Sequence, residues 1–203
     1  IFMKLTEMNH KIWHFFNEIL AIPRASKHEE QIRQYIVDFA EKRHLSYQID
    51  AIGNVVVRKP AAKGKEHLPI VILQSHMDMV CEKNADVQHD FSRDGIQYYI
   101  DGDWLKAQGT TLGADNGIGV AIELYLLDSE KSFGELECLF TVDEETGLTG
   151  ASNIAKNLLK GKRMINLDSE DIDEIFIGSA GGVDTIASIE IEKEQPSKPY
   201  FFF

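Results

Sequence analysis

The chain has 203 residues, 43% of them hydrophobic, with 33 acidic residues, 21 lysines and arginines, and a formal net charge of −12. Its length is sufficient for one sizeable domain and the start of a second. With 15 glycines and 5 prolines, the composition excludes a low-complexity, collagen-like or coiled-coil chain. The acidic balance also argues against a nucleic-acid partner, because proteins that bind nucleic acid usually carry a basic surface.

No targeting or membrane segment is evident in the sequence. The first residues lack the apolar core of a signal peptide, and no apolar run approaches the roughly 18 residues that a membrane span needs. Cys81 and Cys138 lie far apart and form no CxxC pattern, which favours a reducing compartment. We therefore expect a cytoplasmic protein with no membrane partner.

Two amphipathic helices are predicted at the start of the chain. Apolar residues recur at helical spacing over residues 10–21, and Pro23 ends this first helix. The second helix is predicted from Ser26, because Ser26 and Glu29 have the spacing of a capping box. In that motif each side chain bonds the backbone N–H of the other residue.

The rest of the chain alternates between predicted strands and helices. Strands are predicted over residues 46–49, 54–58, 70–74, 136–142, 164–167 and 174–177, with an alternating exit strand over 183–191, an antiparallel excursion over 92–108 and helices over 116–127 and 151–159. This order predicts an α/β fold with a mixed, mostly parallel sheet and helices on both faces.

The residues suited to chemistry lie at the ends of these elements, where α/β folds bind their ligands. The side chains at these ends are His76, Asp78, Asp115, Glu144, Glu145 and Asp168. One imidazole among several carboxylates suits zinc, manganese or cobalt better than calcium, which prefers oxygen ligands alone.

Each of these residues also has a simpler interpretation. His76 could merely end a strand, and Asp115 could be a helix N-cap. Glu144 and Glu145 could form a solvated turn, and Asp168 could belong to the acidic stretch that follows it. The coincidence of these residues at four element ends favours a metal site over the separate interpretations.

Four short motifs carry a resemblance to a known family. They are HMDMV at residues 76–80, GADNG at 113–117, DEETG at 143–147 and NLDSE at 166–170. Together they resemble the motifs of the co-catalytic dizinc metallopeptidases, a clan that includes glutamate carboxypeptidases, aminoacylases and tripeptidases. Within this clan, the chain from about residue 5 to 195 is similar to the bacterial aminoacyl-histidine (Xaa-His) dipeptidases.

The resemblance implies a site with two zinc ions, which manganese or cobalt could replace. His76 and Asp168 would hold one zinc, Glu145 would hold the other, and Asp115 would bridge both. A cis peptide bond between Asp115 and Asn116 is also implied.

Two further carboxylates have implied catalytic roles. Asp78 would orient the imidazole of His76 by hydrogen bonding. Glu144 would act as the general base, which takes a proton from a metal-activated water and passes it to the leaving amine. The spacing does not show which of the two adjacent glutamates is the base and which is the metal ligand. The resemblance implies that Glu144 is the base and Glu145 the ligand.

The family's second zinc needs a further histidine, but no histidine of this chain lies beyond His89. The resemblance therefore implies that residues 3–182 are the N-terminal part of the catalytic domain, and that 183–203 are an exit strand toward an inserted lid and dimerisation domain. We expect a homodimer at full length and an exposed sheet edge in this chain. By itself, the chain is expected to bind at most one metal firmly and to be weakly active or inactive.

These observations together predict a peptidase function for the chain, with two alternatives. The chain is predicted to belong to a metal-dependent dipeptidase that hydrolyses Xaa-His dipeptides, with a small dipeptide as its substrate. The alternatives are a related deacylase or tripeptidase of the same clan, or an inactive metal-binding truncated module. Residues 178–182, a glycine-rich segment, could contact a substrate carboxylate through their backbone, although a flexible turn is the favoured interpretation.

Overall fold

Helices and strands alternate along the structure, a computed structural model that describes residues 10–131, 133–169, 171, 174–178, 181 and 185–192. Within these residues the helices are α1 (His10–Leu20), α2 (Glu30–Lys42), α3 (Ala114–Asp128) and the short α4 (Thr149–Ser152). The strands are β1 (Ser46–Ile49), β2 (Val55–Lys59), β3 (Val71–His76), β4 (Tyr98–Asp101), β5 (Trp104–Ala107), β6 (Leu136–Thr141) and β7 (Arg163–Asn166).

The central sheet has five strands in the order β1–β2–β6–β3–β7. β3 is parallel to both β6 and β7, whereas β2 is antiparallel to both β1 and β6. Every strand except β2 therefore points the same way, and the predicted mixed, mostly parallel α/β fold is confirmed. β4 and β5 form a separate antiparallel hairpin within the predicted excursion.

The two faces of the sheet are covered by different segments. Val55 and Val57 lie on one face, where they join a large core with apolar residues of α1, α2 and α3. Val56 and Ile72 lie on the other face and pack with Leu158, which follows α4. This division follows from the alternation of side chains along each strand.

The predicted helix over residues 151–159 is wrong in extent, because α4 ends at Ser152. The chain then turns so that Leu158 packs against the sheet. A buried carboxylate holds the end of this turn, since Glu137 accepts hydrogen bonds from the backbone N–H groups of Lys160 and Gly161, both at 2.8 Å. The long-range contacts with Glu137 therefore outweigh the local helical pattern.

The sheet ends at β7, which pairs only with β3 among the described strands. All four residues of β7 are exposed, including Met164 and Ile165, so the expected exposed edge is present. The strand predicted over 174–177 is wrong, because these residues form no strand and Ile175 and Ile177 are exposed.

Residues up to 172 form one compact unit, and residues 173–203 form a second. In the second unit, residues 185–192 have no strand structure, so the exit strand is not present in the described part of 183–191. Most of the glycine-rich segment 178–182 lies outside the described residues, as do 183 and 184.

Candidate metal centre

Five acidic side chains surround one histidine at the C-terminal edge of the sheet. His76 ends β3, and its Nε2 atom lies 3.0 Å from Asp115 Oδ1, at the start of α3. The same Nε2 atom lies 3.7 Å from Asp168 Oδ1, beyond β7, and 3.9 Å from Glu144 Oε2, beyond β6. Because the strands that carry these residues are parallel, their C-terminal ends bring the side chains together.

The donor atoms around His76 fall into two groups that could each hold a metal ion. One group contains His76, Glu144 and Asp168, and the other contains His76, Asp115 and Glu145, with the ligand atoms of each group within 4.8 Å of one another. One imidazole with carboxylate oxygens is a ligand set that suits zinc. All four predicted metal ligands are therefore in one cluster around His76. Glu144, the predicted base, is grouped with His76 and Asp168, where the resemblance implied Asp115.

The charges in this cluster favour a cation. Burial acts to lower the pKa of the His76 imidazole, but its hydrogen bond to the Asp78 carboxylate and the nearby charge of Asp168 raise the pKa to about 9. Burial raises the pKa of Asp168 to about 6; His76 opposes this rise, while Asp115 and Glu144 add to it. The raised pKa values of His76 and Asp168 thus favour bound protons that offset part of the negative charge of the cluster, and a metal ion would offset this charge instead.

Asp78 is the most extensively bonded carboxylate of the site, and it is completely buried. It accepts hydrogen bonds from Ser26 Oγ at 2.8 Å, from the backbone N–H groups of Glu144 at 3.0 Å and Glu145 at 3.2 Å, and it lies 3.2 Å from His76 Nδ1. Burial alone would raise the pKa of Asp78, but these donors lower it to about 2. Asp78 therefore contacts His76 as predicted and also holds the turn that carries both glutamates.

Asn116 orients the predicted ligand Asp168, a role that the sequence analysis missed. Its Nδ2 group donates to Asp168 Oδ1 at 2.9 Å and to the carbonyl of Leu167 at 3.0 Å. The peptide bond between Asp115 and Asn116 is cis, as the resemblance implied. Asn116 lies inside the GADNG motif, so its place beside Asp115 was the signal that could have identified it.

The connection between α1 and α2 also supports the site, and this corrects the predicted capping box. Helix α2 begins at Glu30 without a side-chain cap. Instead of capping a helix, Ser26 bonds Asp78, and Glu29 accepts a hydrogen bond from the backbone N–H of Asp143 at 2.9 Å. The local sequence pattern fitted a helix start, but the polar side chains bond distant loops.

Asp143 shapes the turn that presents the two glutamates. Its backbone has a φ of 48°, and its carboxylate accepts hydrogen bonds from the hydroxyls of Thr146 and Thr149, both at 2.5 Å. The carbonyl of Asp143 also accepts the backbone N–H of Thr149 at 2.9 Å. These bonds close the turn, so that Glu144 and Glu145 are held beside His76.

The fold and this site define a class of α/β protein that can hold metal ions in a carboxylate and histidine cluster at the C-terminal edge of its sheet. The profile of peptidase family M20/M25/M40 matches residues 72–202, and the chain belongs to this family. The family is metal-dependent, in agreement with the donor groups around His76.

Individual relatives include named dipeptidases. The cytosol non-specific dipeptidase of Escherichia coli is 47% identical over 184 residues, which are 90% of this chain and 38% of that protein. The crystal structure of aminoacylhistidine dipeptidase from Vibrio alginolyticus matches with a TM-score of 0.78 and 50% identity, covering 80% of this chain and 33% of that one. The chain thus spans well under half the length of these relatives.

A tripeptidase from Staphylococcus aureus has the same fold at lower identity. Its structure matches with a TM-score of 0.67 and 22% identity, covering 79% of this chain and 43% of that one. This likeness concerns the fold alone. Within the described part of the chain, none of the helices has the length and apolar character needed to cross a membrane.

Proposed function

We propose that this chain forms the N-terminal part of the catalytic domain of a cytoplasmic, metal-dependent dipeptidase whose substrates include Xaa-His dipeptides. The observation that carries the proposal is the convergence of His76 with Asp115, Glu145 and Asp168, and with the base candidate Glu144. The similarity to two dipeptidases, one named for the cytosol and one for aminoacylhistidine substrates, supports the compartment and the substrate class.

The proposed centre takes two zinc ions when the site is complete. His76 and Asp168 would hold one ion, Glu145 the other, and Asp115 would bridge them. Bound zinc ions polarise the scissile carbonyl and lower the pKa of water. Asp78 keeps the His76 imidazole oriented, since it contacts Nδ1 and leaves Nε2 directed at Asp115.

Glu144 is the proposed general base. Its carboxylate lies at the rim of the cluster, with Oε2 3.9 Å from His76 Nε2, and 29% of its side chain is exposed. A base in this position can take a proton from the attacking water and deliver it to the leaving amine. The backbone N–H of Glu144 is fixed by Asp78, which limits the movement of this side chain.

The dipeptidase proposal is tested by a substrate panel, with the protein at its natural length. We expect hydrolysis of Xaa-His dipeptides and of other dipeptides, and much weaker hydrolysis of tripeptides and N-acetyl amino acids. Preferred hydrolysis of tripeptides or N-acetyl amino acids would instead support the tripeptidase or deacylase alternative. Size-exclusion chromatography with light scattering tests the proposed homodimer in the same preparation.

The role of Glu144 is tested by E144Q, which keeps the shape of the side chain and removes its basicity. We expect kcat to fall by about 10²–10⁴-fold, the usual contribution of a general base. Zinc content, measured by elemental analysis, should stay at the wild-type level, because Glu144 is not proposed to be a required ligand. Near wild-type activity would exclude Glu144 as the base, and loss of zinc would make it a ligand.

A further inference from the structure

A buried arginine lies beneath the metal centre and joins two of its loops. Arg24, in the connection between α1 and α2, is 2% exposed. Its Nη1 group donates to the carbonyl oxygens of Met77 at 3.1 Å and Asp78 at 2.8 Å, and its Nη2 group donates to the carbonyl of Gly113. One guanidinium therefore bonds the loop after His76 and the loop before Asp115.

The backbone of Arg24 reinforces the first of these contacts. Its carbonyl oxygen accepts the backbone N–H of Met79 at 3.1 Å, and Ala25 forms a parallel bridge with Met79. The side chain thus extends from a segment that is already fixed to the loop after β3. Because a guanidinium is planar and rigid, it can hold three carbonyl groups at a set separation.

The sequence around Asp115 leaves space for this guanidinium. Gly113 has a φ of 71°, and a Cβ atom added there would collide with Nη2 of Arg24. A Cβ atom added at Gly117 would lie 2.9 Å from the same nitrogen and 3.0 Å from Phe16. The two glycines that surround the Asp115 ligand therefore also accommodate Arg24.

The guanidinium also brings a fixed positive charge below the acidic cluster. Burial lowers the pKa of Arg24 to about 10, against the raising effect of Asp78 and other nearby acidic groups, so it is charged at neutral pH. Among the described residues, its side-chain hydrogen bonds all go to backbone carbonyls and none goes to a proposed ligand carboxylate. Its contribution is to the spacing of the loops.

We propose that Arg24 is a positioning residue of the metal centre, which sets the distance between the His76 loop and the Asp115 loop through its three backbone carbonyl contacts. The inference rests on the proposed metal function of the site. Without the guanidinium, the three carbonyl groups lose this donor. The hydrogen bonds that still join the two loops, such as that from the backbone N–H of Thr111 to the carbonyl of Glu82 at 2.8 Å, lie farther along the chain from His76 and Asp115. Ligands that no longer converge bind the ion more weakly, and such supporting contacts typically contribute about 10–100-fold in metal affinity.

The test compares Arg24 with a second buried arginine that is remote from the site. Arg58 is 7% exposed on β2, pairs with Glu137 at 2.7 Å, and donates to the carbonyl of Leu158 on the other face of the sheet. Breaking this buried ion pair leaves Glu137 without its cation, which strongly destabilises a folded protein. R58M is therefore a control for the general loss of stability.

Zinc affinity is measured by competition with a chromophoric chelator, for the wild type, R24K, R24M and R58M at natural length, and stability is measured by urea unfolding. We expect R24M to bind zinc about 10–100-fold more weakly, R24K to be intermediate, and R58M to keep wild-type affinity although it is destabilised. R24K provides the answer if R24M does not fold, because a lysine ammonium retains part of the contacts.

Two results would overturn the inference about Arg24 while leaving the metal centre intact. The first is zinc affinity within threefold of the wild type in R24K and R24M. The second is an equal loss of affinity in R58M, which would make the effect one of general stability. A wild-type protein that binds no zinc would instead contradict the proposed metal centre itself, and the role of Arg24 with it.

Discussion

At the scale of single residues, Asp78 shows how one buried carboxylate can organise a site. It contacts the ring of His76, the backbone of Glu144 and Glu145, and the hydroxyl of Ser26. These partners come from β3, from the turn after β6 and from the connection between α1 and α2. Because the donors compensate for its burial, the Asp78 carboxylate can stay charged and keep all three segments in one arrangement.

The bridging role proposed for Asp115 gives a residue-scale prediction. D115A should lose both zinc and activity, because Asp115 belongs to the ligand group with Glu145 and faces His76 at 3.0 Å. D101A is a matched control, since the side chains of Asp101 and Asp115 are 59% and 57% exposed and Asp101 forms an ion pair with Lys106 in the hairpin. Elemental analysis measures the zinc content of both variants. Two zinc ions retained by D115A would exclude the bridging assignment.

The sequence predicts the candidate site residues better than the residues that support them. His76, Glu144 and Asp168 follow predicted strands, and parallel strands bring such residues to one edge whatever the details of packing. Arg24 and Ser26 act through contacts with residues more than 50 positions away, which no local pattern encodes. The family's motifs identify the first group, whereas only the fold reveals the second.

At the scale of elements, local sequence patterns again do not encode long-range contacts. This explains which helices and strands were predicted correctly. α1, α3 and the core strands have strong periodic or apolar patterns, and the structure contains each of them within two residues of the predicted bounds. The start of α2 and the extent of α4 depend on Glu29 and Glu137, whose carboxylates bond backbone groups of distant segments. Where local propensity is ambiguous, tertiary hydrogen bonds therefore determine where a helix begins and ends.

Helix α3 carries a buried glutamate that has no role in the proposed chemistry. Glu123 is fully buried, and its only hydrogen bond among the described residues is from Ser75 Oγ to Oε2 at 3.2 Å. Burial raises the pKa of Glu123 well above its usual range, with a smaller lowering effect from Ser75. The carboxyl group is therefore protonated in the folded protein at pH values where the unfolded chain has already ionised.

This shift predicts a pH dependence of stability. A raised folded-state pKa contributes stability below the unfolded pKa, and that contribution is lost as the pH rises toward the folded value. E123Q removes this titration, so its free energy of unfolding relative to wild type should rise by about 1.4 kcal/mol per pH unit above roughly pH 4.5. Urea unfolding between pH 5 and 8 measures the difference.

A matched substitution separates this effect from a simple change in charge. E130Q removes one carboxylate from an exposed position shortly after the same helix. Its unfolding free energy should follow that of the wild type across the pH range. Parallel profiles for E123Q and the wild type would mean that Glu123 titrates normally in the folded protein.

At the scale of the whole molecule, the candidate metal centre joins segments that are far apart in the chain. The donor side chains follow β3, β6 and β7 or begin α3, and these elements form the parallel half of the sheet and the helix packed on it. In the absence of a cation, a cluster of carboxylates opposes the approach of these segments, within a chain whose net charge is −12. Binding of a cation and formation of the compact unit should therefore be coupled.

The coupling predicts that zinc stabilises the folded protein as a whole. A ligand that binds only the native state at 100 times its Kd adds about 2.7 kcal/mol to the free energy of unfolding. We expect a gain of at least this size per occupied zinc site, measured by urea unfolding with saturating zinc against a chelator-treated sample. D101A should show the full gain, whereas D115A should show little, because its ligand set is incomplete. An equal gain in D115A would mean that zinc stabilises the protein from some other position, since the four predicted ligands could not then be acting as one centre.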